Sequence, residues 1–193
     1  MSALWEPFLG AKELKDRYGL TNFVETGTCE GDGLRYAHAL GFDSYFSCDI
    51  NLKHVEKQRA AFPHAFIMCS DSVNAVKTIA WSLTGPTMWW LDAHYPVMYG
   101  SDADRILPEH VIPVYQELEA ASHKQDVHRD VFILDDIRII EARDNPRFKP
   151  GELDDLGIPT LQGYALRDFR DLLPNHAARV VHEGTGALIF EPK

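Results

Sequence analysis

The chain alternates short apolar runs with amphipathic stretches. "NFVET" (22–26), "SYFSCDI" (44–50), "AFIMCS" (65–70), "TMWWLDA" (87–93) and "DVFILDD" (130–136) are compact and largely apolar at consecutive positions. Runs of this length, closed by Gly, Asn or Asp, read as strands buried on both faces. Between them, residues ~4–18, 34–40, 51–62, 72–81 and 108–122 carry helical patterning, with Gly41 and Pro63 as stops and Pro108 as an opener. A further helix is expected at 164–174. "ARVVHE" (178–183) and "GALIFE" (186–191) then flank a Gly-Thr pair and read as an antiparallel hairpin. Doubly apolar strands that each feed a helix predict an α/β fold with a parallel sheet covered on both sides. The segments 94–107 and 138–161 lack periodicity, and each follows the C-terminal end of an expected strand. Ligands of open α/β sheets bind at those ends, and long loops there tend to be functional.

Composition narrows the class. A chain of 193 residues with 45% hydrophobic content is expected to form one domain, residues 1–193, with a substantial core. The net charge of −10, with basic residues scattered, argues against a nucleic-acid partner, which needs clustered Lys and Arg. No apolar run is long enough for a membrane span. "MSALWEPFLGAKELK" lacks the basic start and apolar stretch of a signal peptide. Cys29, Cys48 and Cys69 read as free thiols, so a cytoplasmic location is expected.

The most informative stretch is "FVETGTCEGDG", Phe23 to Gly33, where a strand ends in an acid and glycines follow. A nucleoside triphosphate wants a Gly-Lys pair, which this chain lacks. A dinucleotide wants G-x-G-x-x-G. Counting from Gly27 puts Cys29 at the second glycine, and counting from Gly31 puts Tyr36 at the third. Glu25 would also repel a phosphate. A phosphate-free nucleoside carrying an ammonium and a sulfonium suits this stretch better. Its cations match a carboxylate at the strand tip, and glycines admit backbone close to the ligand.

Glu25-x-Gly27-x-Cys29-x-Gly31 resembles the acid-x-Gly-x-Gly-x-Gly motif of class I S-adenosylmethionine-dependent methyltransferases, with Cys29 in place of one glycine. Asp49 closes the second strand, where a carboxylate accepts ribose hydroxyls. Asp71 follows the third, where the family commonly has an acid for the adenine amino group. A helix cap is the plain alternative for both. The resemblance covers about residues 20–192. It implies a Rossmann-like three-layer sandwich with a seven-stranded, mostly parallel sheet and an antiparallel C-terminal hairpin. "VETGT", "WWLDAHY" and "ILDDIR" further resemble a bacterial group of small methyltransferase-like proteins. That group is distantly similar to macrocin-type sugar O-methyltransferases. Cofactor contacts are accordingly expected from Glu25, Gly27, Thr28, Gly31, Asp49, Asp71 and Asp92.

"WWLDAHY" and "ILDDIR" set Asp92, His94, Asp135 and Asp136 at the ends of strands expected to be neighbours. By resemblance to the macrocin-type enzymes, Asp92, Asp135 and Asp136 are candidate ligands of a divalent metal, Mg or Mn, with His94 a fourth. A hard cation takes carboxylate oxygens and lowers the pKa of a bound hydroxyl. Alternatively, these acids border the cofactor pocket and His94 is a general base. Asp92, His94 and Asp135 are the expected acceptor-activating residues, and the acceptor is a small molecule or a sugar. The absence of a large extra domain leaves room for a homo-oligomer to complete the pocket. Two other readings stay open: a metal-dependent enzyme of another reaction type, and a non-catalytic cofactor-binding module.

Overall fold

A computed structural model describes residues 10–93, 113–135, 166–181 and 186–193. His94, Asp136 and both irregular segments, 94–107 and 138–161, lie outside the described residues. The strands fall where the apolar runs put them: β1 Asn22–Thr26, β2 Ser44–Asp49, β3 Phe66–Cys69, β4 Thr87–Leu91, β5 Val131–Asp135, β6 His176–Val181 and β7 Ala187–Pro192. The helices are α1 Ala11–Tyr18, α2 Asp32–Leu40, α3 Leu52–Ala61, α4 Ser72–Ser82, α5 Val114–Ser122 and α6 Leu166–Leu172, with a 3-10 turn at Val127–Arg129.

Two helix starts differ from expectation. Gly10 caps α1 in the left-handed conformation, so the helix opens at Ala11 rather than near residue 4. Pro113 caps α5, so that helix opens at Val114 rather than at Pro108. Helical periodicity in sequence does not register these caps, because they are set by backbone conformation at Gly10 and Pro113 and not by the apolar pattern.

The sheet order is β3-β2-β1-β4-β5-β7-β6. β1, β2, β3, β4 and β5 are mutually parallel; β7 runs antiparallel to both β5 and β6. Register puts Glu25 opposite Ser47 on one side and Trp90 on the other. Side chains alternate across the sheet and divide the core in two. Val24, Trp89, Leu91, Phe132, Leu134, Leu188 and Phe190 pack with α4, α5 and α6. Phe23, Met88, Trp90, Val131, Ile133 and Ile189 pack with α1, α2 and α3. Trp89 and Trp90 therefore serve opposite cores. Cys29, Cys48 and Cys69 are free thiols. Among the described residues no helix is long and apolar enough to cross a membrane.

The N-terminal edge of the sheet is tied by a buried charge network. Lys124 Nζ donates to Gly85 O at 2.9 Å and Asp130 Oδ1 at 3.1 Å, and also pairs with Asp126. Asp130 in turn accepts from Thr87 N at 3.1 Å and Trp89 Nε1 at 2.8 Å. Both Lys124 and Asp130 have fully buried side chains. Removing one partner of such a pair strands the other charge away from water. Lys124→Met is expected to lower unfolding free energy by about 3–5 kcal/mol in denaturant titration. A loss under about 1 kcal/mol would show that the network carries little of the fold's stability.

Candidate functional site

The C-terminal ends of β1, β2 and β4 meet the loop that follows β1, and this crevice collects most of the residues expected to bind a cofactor. Gly27 N and Thr28 N donate to Cys48 O at 2.9 and 3.0 Å, carrying β1 past its last ladder residue. The chain then turns sharply. Gly27 has φ 81, and a Cβ there would sit 2.9 Å from the main-chain oxygen of Asp92. The side of Gly27 toward β4 is thus closed to any larger residue. Thr26 Oγ1 accepts from Asp92 N at 3.0 Å and Ala93 N at 3.2 Å, which fixes the start of the segment leaving β4.

Cys29 is the departure from the glycine motif, and its backbone shows what the motif needs there. Its φ is 43, the left-handed region a glycine enters freely. Two contacts offset the cost of order 1 kcal/mol. Cys29 N donates to Asp49 Oδ2 at 2.8 Å, and Cys29 O accepts from Gln58 Nε2 at 3.2 Å. Burial pushes the Cys29 thiol up, the Glu30 backbone hydrogen bond opposes this, and the charges of Asp49, Glu30 and Asp92 add to the rise, so it is no activated nucleophile.

Asp49 ends β2 and reaches into both loops. Its Oδ2 takes Cys29 N, and its Oδ1 takes Asn51 N at 2.8 Å. His54 Nδ1 lies 3.3 Å from Oδ2. Glu25 lies deeper, 3% exposed, on the face shared with Ser47 and Trp90. Ser47 Oγ donates to Glu25 Oε1 at 2.7 Å and lies 2.5 Å from Thr28 Oγ1. Burial raises the Glu25 carboxyl from about 4.5 to about 8; the Ser47 hydrogen bond opposes this, and Asp92, Asp49 and Asp32 add to it. The free protein therefore carries Glu25 mostly protonated at neutral pH, although the sequence suggests a charged rim.

Asp71 caps α4: its Oδ1 accepts from Asn74 N at 3.0 Å and its Oδ2 from Asn74 Nδ2 at 2.7 Å. The cap alternative is thus realised, with an exposed carboxylate facing its own helix. Asp92 and Asp135 follow Leu91 and Leu134, which are paired across neighbouring strands. Asp135 is buried. Among the described residues no group of three His, Cys, Asp or Glu side chains is arranged to hold a metal ion. His94 and Asp136, the other expected members, lie outside the described residues.

Three residues of this site went unread in the sequence. Ser47, His54 and Gln58 touch Glu25, Asp49 and Cys29 respectively. Ser47 was detectable in principle as a polar position inside an apolar run. His54 and Gln58 sit on α3 at helical spacing and become relevant only when that helix is docked.

No protein-family model and no curated protein sequence matches the chain. Solved structures do. An O-methyltransferase from Bacillus cereus in complex with S-adenosylhomocysteine superposes with TM-score 0.61 at 16% identity, over 97% of this chain and 82% of that one. The Podospora anserina methyltransferase PaMTH1, also bound to S-adenosylhomocysteine, gives 0.56 at 14% identity, over 94% and 75%. An S-adenosylmethionine-dependent methyltransferase from Anabaena variabilis gives 0.53 at 11%, over 100% and 86%.

The buried acid gives the site a pH signature. A carboxyl whose folded pKa exceeds its unfolded value holds more protons folded than unfolded. Its contribution is whole below about pH 4.5 and is lost as pH rises to about 8. Glu25→Gln should therefore outlast the wild type increasingly across that window, by about 4 kcal/mol at pH 8. Parallel thermal or urea curves for the two proteins would refute the assignment. The strand order, the antiparallel C-terminal pair and the solved structures together establish that the chain has the class I S-adenosylmethionine-dependent methyltransferase fold.

Proposed function

We propose that this protein is an S-adenosylmethionine-dependent methyltransferase acting on oxygen of a small molecule or sugar, within a single domain. The observation that carries the reading is the crevice itself. An acid at the end of β1, a glycine turn packed on the β4 backbone and an acid at the end of β2 lie together there, and among the described residues His54 is the basic side chain that hydrogen-bonds one of these acids, with no Lys or Arg doing so. S-adenosylhomocysteine, bound to two of the superposed structures, is what S-adenosylmethionine becomes on giving up its methyl group: a phosphate-free nucleoside that keeps the ammonium and loses the sulfonium.

In this reading Asp49 accepts the ribose hydroxyls, and Gly27, Thr28 and Gly31 supply close-lying backbone. Glu25 faces the ammonium of the methionine portion. Asp71, each of whose oxygens accepts one cap bond from Asn74, is the acid proposed for the adenine amino group, through its remaining acceptor positions. Methyl transfer is an in-line displacement. The acceptor oxygen forms a bond to the methyl carbon, the carbon–sulfur bond breaks, and sulfur keeps the electron pair. The hydroxyl proton passes to a base, for which Asp92, Asp135 and His94 are the candidates. The protein's main work is to position the acceptor and exclude water. Asp92 and Asp135 have the oxygen donors that suit Mg or Mn, with Asp136 proposed as a third ligand. A divalent cation there would acidify the acceptor hydroxyl.

Calorimetry with S-adenosylmethionine, with and without Mg or Mn, tests both parts. The wild type should bind the cofactor, and Asp49→Ala should weaken it by about 10- to 100-fold, the worth of charge-assisted hydrogen bonds to the ribose. Unchanged affinity in Asp49→Ala would remove the ribose assignment. Asp135→Asn should leave cofactor affinity near wild type and reduce methyl transfer. Methyl transfer indifferent to chelation would remove the metal.

A further inference from the structure

An ionised carboxylate offers about four acceptor positions, two on each oxygen. At Asp49, Oδ1 carries one donor, Asn51 N at 2.8 Å. Oδ2 carries two, Cys29 N at 2.8 Å and His54 Nδ1 at 3.3 Å. A cis-diol that donates one hydroxyl to each oxygen finds a vacant position on Oδ1 and none on Oδ2. One donor on Oδ2 has to leave. Cys29 N is main chain inside a left-handed turn that Gln58 also clamps. His54 holds the longer bond through a side chain that retains some exposure. The two main-chain amides already fix both carboxylate oxygens, so His54 is not needed to orient Asp49.

We propose that His54 is a displaceable competitor that occupies the ribose acceptor site on Asp49 in the free protein and yields it when a nucleoside diol binds. This rests on the ribose role of Asp49 given above. His54 then sets how strongly the site discriminates a ribose from a sugar without vicinal hydroxyls. Its ring, on the first turn of α3, swings off Oδ2 as the diol arrives.

The test compares S-adenosylhomocysteine with its 2′,3′-dideoxy analogue on wild type, His54→Phe and His54→Ala. Both variants should bind S-adenosylhomocysteine about three- to tenfold tighter, the worth of one displaced hydrogen bond. Binding of the dideoxy analogue should not change. Equal shifts for both ligands, or weaker binding of S-adenosylhomocysteine, would overturn the proposal. In the wild type, the His54 Nδ1 nitrogen resonance should move on saturation with S-adenosylhomocysteine and stay put with the dideoxy analogue. That measurement decides the matter even where a variant folds poorly. A wild type that binds neither ligand would sink the methyltransferase reading itself. A wild type that prefers the ribose ligand, with that preference unchanged in both variants, would sink only the role of His54.

Discussion

The carboxylate of Asp49 is the point on which the site turns. It binds one main-chain amide from the loop after β1 and one from the loop after β2, Cys29 N and Asn51 N. These loops belong to neighbouring parallel strands and have no ladder bonds to each other. Without the shared acceptor, the left-handed turn at Cys29 would lose one of the two contacts that offset its strain. Asp49 thus fixes the backbone that a ligand must approach, and Gly27 then brings that backbone against β4.

Beneath that scaffold lies a separate charge device. Glu25 is buried where water cannot support its ionised form, and Ser47 supplies a hydrogen bond that only partly compensates. Such a group is poised: neutral when the crevice is empty, and ready to ionise beside a cation. A phosphate would gain nothing from it. A sulfonium nucleoside with an α-ammonium group would, which connects the burial of one side chain to the class of ligand proposed. The acidic residues around Glu25, namely Asp92, Asp49 and Asp32, act in the same direction by discouraging a second negative charge.

Much of this was legible in the chain because parallel strands buried on both faces are continuous apolar runs. β1 falls on "NFVET" and β4 lies within "TMWWLDA" for that reason. The acids at strand ends stood out against those runs, and Glu25 and Asp49 converge on one loop. Other features depend on register and docking, which a linear pattern does not carry. Ser47 matters because it pairs with Glu25 across strands, and His54 and Gln58 because α3 packs over the β1 loop. Helix starts at Gly10 and Pro113 were set by caps that periodicity ignores. The protonation of Glu25 was illegible for a different reason, since it follows from three-dimensional burial rather than residue type.

The central claim is that a cation binds beside Glu25 and takes over the role of its proton. Calorimetry of S-adenosylmethionine binding at pH 7, repeated in buffers of different ionisation enthalpy, counts protons released. Subtracting the result for Glu25→Gln cancels the ligand's own amino group. The account predicts a difference close to one proton per ligand, because a carboxyl near 8 is mostly protonated before binding. Equal proton counts for wild type and Glu25→Gln would contradict it.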